Sequence, residues 1–526
     1  MTHFFKMWHS DVEFFVKNYA TYKKNNLLLL GMAKEAFDNN KYLKIQRENI
    51  LKRIKKFGDK LYLEFGGKLF DDLHASRVLP GFKPDSKLQM LLGIKDKAET
   101  IIVVNANDIN SNKIRNDIGI TYQEDVLRLV DTYRDVGLYV SSVVISFYQE
   151  LPNVLEFEQN LRNNGINVYK SYQINGYPQN IPLIVSDEGL GKNEYIKTTR
   201  PLVVVTAPGP GSGKMAACLS QLYFDNKNGI RAGYAKYETF PVWNLSLNHP
   251  VNLAYEAATI DLNDINMIDP YHLEAYGIPA VNYNRDVEVF PLLKAIFEKI
   301  YGETPYQSPT DMGVNMVGLA IKDEAKVIDA SKREIVRRYF DVRLRIFQGK
   351  LPNASLEKME MLLNKAGVSP SNRKCVKKAL EVQEKENEPA LAVELHNGKI
   401  ITGHRSQLLG ASAALLLNTL KHLAKIDKNI YLLSPSVVQP MQNLKVNHLH
   451  RSYTRLRAEE ILLALSIQAV TNPLAELALK QIPQLKGLEV HSTTILSEVD
   501  RNTLKRLGMN VTEEPTNYKS KLYFKG

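Results

Sequence analysis

Apolar positions along this chain switch between two periods, and the switching predicts an α/β fold. From Tyr42 to Phe57 the residues Leu43, Ile50, Leu51 and Ile54 recur at helical spacing. Lys60–Phe65 (KLYLEF) then reads as a strand. Further strands are predicted at Glu99–Asn105, Leu138–Ser146, Ile166–Tyr169, Leu183–Ser186 and Leu202–Thr206. Helices are predicted between them at Lys87–Leu92, Glu124–Val136 and Val154–Asn163. Strands rich in Val and Ile, separated by helices, argue for a mostly parallel sheet with both faces covered. Ligands of such sheets sit in the loops at the carboxyl ends of the strands.

Beyond these strands the pattern changes twice. Pro250–Asp261, Tyr271–Tyr276 and Val287–Ile300 read as helices, and Gly302–Met312 as a boundary rich in Pro, Thr and Ser. Asp323–Glu388 is almost wholly helical in pattern and highly charged. From Pro389 the chain returns to α/β. Ala390–Leu395 and Lys399–Thr402 flank a His396-Asn397-Gly398 turn, a hairpin signal. A helix at Leu408–Ile426, a strand at Ile430–Ser434, a helix at Glu459–Val470 and a strand at Leu488–His491 follow. The expected organisation is an N-terminal extension (1–31), a P-loop-like α/β domain (32–310), a helical subdomain (311–388) and a C-terminal α/β domain (389–526). The extension mixes aromatics, lysines and asparagines without a clear cap, as an upstream addition or an early start codon would.

The most informative stretch is PLVVVTAPGPGSGKMAACLSQLY, Pro201–Tyr223. A buried strand runs into a Gly/Pro turn, then Lys214, then a helix with Ala216, Leu219 and Tyr223 on one face. In a phosphate-binding loop, glycines let backbone amides approach phosphate oxygens, and the helix N-terminus and a lysine add positive charge. Gly209, Gly211, Ser212, Gly213 and Lys214 are the expected phosphate-binding residues. The match to GxxxxGK[ST] is incomplete. Pro208 stands where the first glycine belongs, and Met215 where a Ser or Thr would hold Mg²⁺. A thioether is a poor ligand for a hard cation. The plain alternative is a Gly/Pro turn with a solvent-facing lysine.

A nucleoside triphosphate with Mg²⁺ needs carboxylates. In Leu183–Glu188 an apolar segment ends in Asp187 and Glu188, the pattern in which Asp holds the metal and Glu orients a water. A second source is His249–His272. There Asn252, Glu256 and Thr259 share a helical face and Asp261, Asp264 and Asp269 follow in a loop. The expected metal ligands are therefore Asp187 and Asp264, with Glu188 or Glu256 as base. An internal hydrogen bond explains Glu256 equally well. Arg285 would clamp a phosphate bidentately, or pair with Asp286 at a helix start.

Charge and composition narrow the partners. A net charge of +11 spread over 526 residues suits an anionic metabolite or nucleotide and does not demand nucleic acid. The basic tracts Arg337–Arg345 and His448–Arg457 alternate with core-like residues and acids, as solvated helix faces do. Two cysteines give no disulfide framework. The 11 histidines form no HExxH, and there is no CxxC or GxSxG, so neither zinc nor a serine nucleophile is expected. No apolar run reaches the roughly 18 residues of a membrane span. A cytoplasmic protein without a membrane partner is expected, with homo-oligomerisation left open.

Long blocks of this chain resemble one bacterial family. They are KLYLEFGGKLFDDLHASRVLPGF, VNANDINSNKIRNDIGITY, PLIVSDEGLGKNEYI, RPLVVVTAPGPGSGKMAACLSQLY and HPVNLAYEAATIDLNDINMIDPYHLEAYG. The family is domain of unknown function 1846, also called uncharacterised protein family 0371. The resemblance runs from about Ala36 to the C-terminus. It implies a P-loop-containing protein with a helical middle part and a C-terminal α/β part like a deaminase-like layered fold. The HxE and PCxxC residues of zinc deaminases are missing here, so deaminase chemistry does not carry over. Only Gly209–Lys214 carries over as a nucleotide-loop feature.

Overall fold

The computed structural model describes residues 35–517 apart from 68, 71, 116–119 and 452. The extension 1–31 lies outside the described residues. The chain divides into two compact units. The first holds residues up to Thr239 with Ala295–Glu303 and Met312–Val327. The second holds Phe240–Lys294, Thr304–Asp311 and residues from Ile328 onward.

The first unit is built on a seven-stranded sheet. Its strands in chain order are β1 (Leu61–Phe65), β2 (Ala98–Asn105), β3 (Tyr139–Ser146), β4 (Asn167–Lys170), β5 (Leu202–Thr206), β6 (Gly233–Tyr237) and β7 (Gly313–Val314). In space they lie in the order β7-β6-β1-β5-β2-β3-β4, every pairing parallel. All five residues of β1 and of β5 are buried, as a sheet covered on both faces requires. Among the helices of this unit are α1 (Asn39–Lys56), α2 (Tyr122–Asp135) and α3 (Lys214–Lys227). The side chain of Asp38 caps α1. Thr121 and Glu124 form a capping box at the start of α2, so its T-x-x-E sequence places that end.

Leu183–Ser186 is not a strand. Ile181–Ile184 is a short helix, with Pro182 in its first turn and the Asn180 side chain accepting from the Leu183 amide. That start signal outweighs the β preference of the apolar run.

The second unit begins with a helix at Pro250–Ala258 and an antiparallel strand pair, Asn266–Ile268 with Val281–Tyr283. The long helix α4 (Glu324–Phe347) begins at the end of the first unit and belongs to the second from Ile328 onward. Then come α5 (Ala354–Ala366) and α6 (Lys374–Glu386). A four-stranded sheet follows, built from β8 (Ala390–Glu394), β9 (Ile400–His404), β10 (Glu489–Ser492) and β11 (Asn510–Glu513). The hairpin β8/β9 forms as expected, β8 and β10 are antiparallel, and β10 and β11 are parallel.

Alternation along β8 sorts its two faces. Leu391 and Val393 join a core with α7 (Ala411–Leu423) and α8 (Ala458–Gln468), while Ala392 packs on Cys375 and Ala379 of α6. The result is a helix–sheet–helix sandwich. Ile430–Ser434 forms no strand and leads directly into a helix at Pro435–Asn443. Proline there, right after Ser434, favours a helix start.

A buried charge network ties the helices to this sheet. Arg373, only 3% exposed, donates to Glu489 Oε2 (2.6 Å), to the carbonyls of Val490 (3.2 Å) and Asn510 (2.8 Å), and to Thr512. Arg337 donates to Glu489 Oε1 (2.5 Å) and to Glu334. The first basic tract is thus an internal anchor at this residue. Among the described residues no helix is long and apolar enough to cross a membrane.

Candidate functional site

β5 lies at the centre of the parallel sheet, between β1 and β2. The chain leaving β2 continues through β3 and β4 to one side, and the chain leaving β5 continues through β6 and β7 to the other. Such a reversal leaves a crevice at the strands' carboxyl ends, where ligands of open α/β sheets bind. The glycine-rich turn 207–213 fills the end of β5 at this point.

The turn is held by its neighbours. Ser146, the last residue of β3, donates to the carbonyl of Ser212 at 2.7 Å. Asn105, the last residue of β2, donates to the carbonyl of Gly211 at 3.3 Å. Gly213 has φ of +86°, and a Cβ there would also fall 3.1 Å from the Cβ of Ser146. Gly209 lies so close to α2 that a Cβ would fall 2.3 Å from Tyr122 Oη. The glycines therefore allow the turn to press onto the neighbouring strand ends.

The helix after the turn begins without a side-chain cap. Among the described residues no side chain, and no acceptor outside the turn itself, takes a hydrogen bond from the amides of Gly211 to Ala216. Free amides and an aligned helix dipole both favour an anion at such an end. Lys214 is half-buried and, among the described residues, has no ion-pair partner. The hydroxyl of Ser212, in a residue 2% exposed, likewise has no hydrogen-bond partner among the described residues.

One buried acid on the strand next to β5 is not found by sequence reasoning. Glu64 sits on β1 opposite Val205 of β5, one position before the end of that strand. It is 9% exposed and accepts from Tyr234 Oη at 2.7 Å. Burial pushes the Cys218 thiol far up; Glu64 pushes it further up and Lys214 acts against it. The signal is an acid inside a fully buried strand, LYLEF, since a buried carboxylate requires a partner. Next to it, Lys87 is 3% exposed, pairs with Asp72 at 2.9 Å and donates to the carbonyl of Gly66 just past β1.

The structure does not bring Asp187 and Glu188 to the loop. Asp187 accepts from Lys227 Nζ at 2.5 Å and Tyr223 Oη at 2.9 Å, and the lysine beside it holds its carboxyl below the usual range. Lys227 ends α3, so this pair lies about 20 Å along the helix from Lys214.

Glu256, Asp264 and Arg285 belong to the second unit. Arg285 pairs with Asp264 at 3.3 Å and lies over the Tyr283 ring, so its acidic partner is Asp264. Glu256 accepts from the Asn266 amide at 3.3 Å, and burial raises its carboxyl. Asn252 brackets the backbone of Val242, and Asp269 caps the helix Pro270–Tyr276. Asn252, Glu256, Asp264 and Asp269 therefore each have an internal partner. Among the described residues no cluster of three or more His, Cys, Asp or Glu is arranged to hold a metal ion.

Comparison with known proteins gives one consistent answer. The family model for domain of unknown function DUF1846, N-terminal, matches residues 35–367, and that for DUF1846, C-terminal, matches residues 371–523. A UPF0371 protein of Streptococcus uberis is 54% identical over 494 residues, covering 94% of this chain and 100% of its own. UPF0371 proteins of Streptococcus pyogenes serotypes M5 and M18 are each 53% identical over 490 residues, covering 93% of this chain and 99% of theirs. The chain belongs to the DUF1846 family.

Proposed function

We propose that this DUF1846 protein binds a phosphate-bearing small molecule, a nucleotide or phosphorylated metabolite, on the loop Gly209–Lys214. One observation carries the reading. At the central crevice of a parallel sheet come together an uncapped 14-residue helix and, among the described residues, a lysine without an ion-pair partner and a buried serine hydroxyl without a hydrogen-bond partner. Gly209, Gly211, Ser212 and Gly213 would present amides to the phosphate, and Lys214 its charge.

The reaction class that fits is hydrolysis or transfer of a phosphoryl group by a cytoplasmic enzyme. Mg²⁺ fits this site only in part. The position that supplies a hydroxyl ligand in other such loops is Met215, and Glu64 is the carboxylate on the adjoining strand. An incoming Mg²⁺ would neutralise phosphate charge, with Glu64 as its protein carboxylate. Asp187 and Glu188 are not proposed for that role, given their place at the far end of α3.

Met215 favours a second reading, a non-catalytic binder of a phosphometabolite that uses no metal. A homo-oligomer fits this reading too, since Leu463 and Ile467 of α8 and the nearby Val470 are 60%, 74% and 84% exposed.

Turnover separates the two. Phosphate release from a nucleoside triphosphate panel is measured with and without Mg²⁺ on wild type, Glu64→Gln and Asp187→Asn. The enzyme reading expects Mg²⁺-dependent release that Glu64→Gln abolishes and Asp187→Asn keeps. No release with any nucleotide leaves the binder alone.

A further inference from the structure

A cleft wholly within the second unit opens at the carboxyl ends of the parallel strands β10 and β11, between α4 and α6. It has two compartments. The smaller, about 320 Å³, is walled mainly by Tyr339, Phe340, Pro370, Val376 and Leu380. The larger, about 640 Å³, is walled mainly by Gln383, Thr493, Thr494, Thr516 and Asn517. Arg343, Leu380 and Glu514 line both, so they stand at the junction. The position matches the rule that α/β sheets bind ligands past the carboxyl ends of their strands.

Glu514 is held in place there by Arg343, whose Nη1 donates to its Oε2 at 2.9 Å, while its Oε1 lies 3.5 Å from His491 Nε2, a nitrogen with no hydrogen-bond partner among the described residues. His491 is fully buried on β10, its other ring nitrogen bonded to Thr512 Oγ1 at 2.9 Å. Burial lowers the imidazole's pKa, keeping it neutral. Burial pushes Glu514 up, but His491 and Arg343 outweigh it and keep the carboxylate charged. Arg343 in turn lies over the rings of Tyr339 and Phe340, at 5.4 and 5.9 Å.

Each carboxylate oxygen accepts two hydrogen bonds. Among the described residues at most one site per oxygen of Glu514 is taken by protein, and the side chain remains 15% exposed. Two acceptor positions on adjacent oxygens suit two adjacent hydroxyl donors. A cation is a poor alternative, because Arg343 sits beside the carboxylate and Lys377 on the cleft wall. Apolar and aromatic walls on one side, and hydroxyl and amide walls on the other, call for a ligand of matching halves.

We propose that this cleft binds a flat apolar ring joined to a sugar with vicinal hydroxyls, with the ring between Tyr339, Phe340 and Leu380 and the diol on Glu514. Nucleosides and aryl glycosides share this chemistry. The site is independent of the loop at Lys214, since neither compound carries a phosphate.

The test titrates the full-length protein by calorimetry with adenosine, uridine, 2′,3′-dideoxyadenosine, phenyl β-glucoside and free ribose. A nucleoside or the glycoside binds, and which of the two binds identifies the source. For a nucleoside site, dideoxyadenosine binds about ten- to hundredfold more weakly than adenosine, the loss expected when hydroxyl donors to a charged acceptor are deleted. Glu514→Gln weakens the diol ligand by a similar factor and leaves dideoxyadenosine unchanged. Thr494→Val, which keeps the side-chain shape, gives a smaller loss. Lys214→Ala changes none of these values. Equal binding of adenosine and dideoxyadenosine, or no binding of any ring–sugar compound at millimolar concentration, overturns the proposal.

Discussion

A single methyl group at Gly209 probes how tightly the glycine-rich turn is pressed onto its surroundings. The new Cβ would lie 2.3 Å from Tyr122 Oη, 2.9 Å from Cζ and 3.2 Å from Cε2. Tyr122 opens α2, is 7% exposed, and its ring lies 4.9 Å below Lys113 Nζ. The ring must move to admit the methyl. Overpacking of this kind costs about 1–3 kcal/mol, and loss of the cation–π contact adds about 0.5–1 kcal/mol. Gly209→Ala should therefore destabilise the first unit by about 1.5–4 kcal/mol. Gly211 is the control. Nothing lies within 4 Å of its added Cβ, but its φ is +73°, so Gly211→Ala carries only the left-handed strain of about 1–2 kcal/mol. Urea unfolding followed by circular dichroism gives both values from midpoint shifts at constant slope. A double-mutant cycle with Tyr122→Ala isolates the contact, because that background removes all three clashing atoms. The cycle should return at least about 1 kcal/mol for Gly209→Ala and nothing for Gly211→Ala. A Gly209→Ala protein as stable as wild type, or a penalty unchanged in the Tyr122→Ala background, would refute the close packing of this turn.

Other consequences are open to direct measurement. Arg373→Met leaves a carboxylate, Glu489, buried with one of its two arginine partners gone, so stability of the second unit should fall by about 3–5 kcal/mol, read as a lower urea midpoint. His491 has its folded-state pKa lowered by burial, so the unfolded chain takes up its proton first as pH falls. Its contribution is complete above the ordinary histidine pKa of about 6.5 and is lost as pH drops below it, so thermal stability should decline from pH 7 to 5 more steeply than in His491→Asn.

Much of the architecture is legible in the sequence because it rests on period and composition. The strands at β1, β2, β3, β5 and β8 are apolar-rich runs that a sheet buries, and the Asn-Gly turn marks the hairpin between β8 and β9. Two predicted strands fail where apolar residues follow or precede proline. At Ile181–Ile184 and after Ser434 the local helix-start chemistry decides, and an apolar run of four or five cannot reveal that by periodicity. The glycine-rich turn is visible as a motif, but its supports are not. Ser146 and Asn105 come from strands 66 and 106 residues away in sequence from the carbonyls they hold, and no spacing rule connects them. Glu64 lies alongside β5 for the same reason, through a parallel pairing of β1 with β5 that sequence order hides. Asp187 has the pattern of a metal ligand because an acid after an apolar run resembles a strand end; in the fold that run is a helix, and the acid pairs with Lys227.

The central claim is that the turn at Gly209–Lys214 holds phosphate. The most direct test is calorimetric titration of the full-length protein with ATP and with inorganic pyrophosphate, each with and without Mg²⁺, on wild type and Lys214→Ala. Phosphate binding at the turn predicts saturable binding of at least one of them to wild type and a loss of about tenfold or more in the variant, the scale of a deleted charge-assisted contact. Binding of equal strength in Lys214→Ala, or no heat of binding from either ligand in wild type, would contradict it.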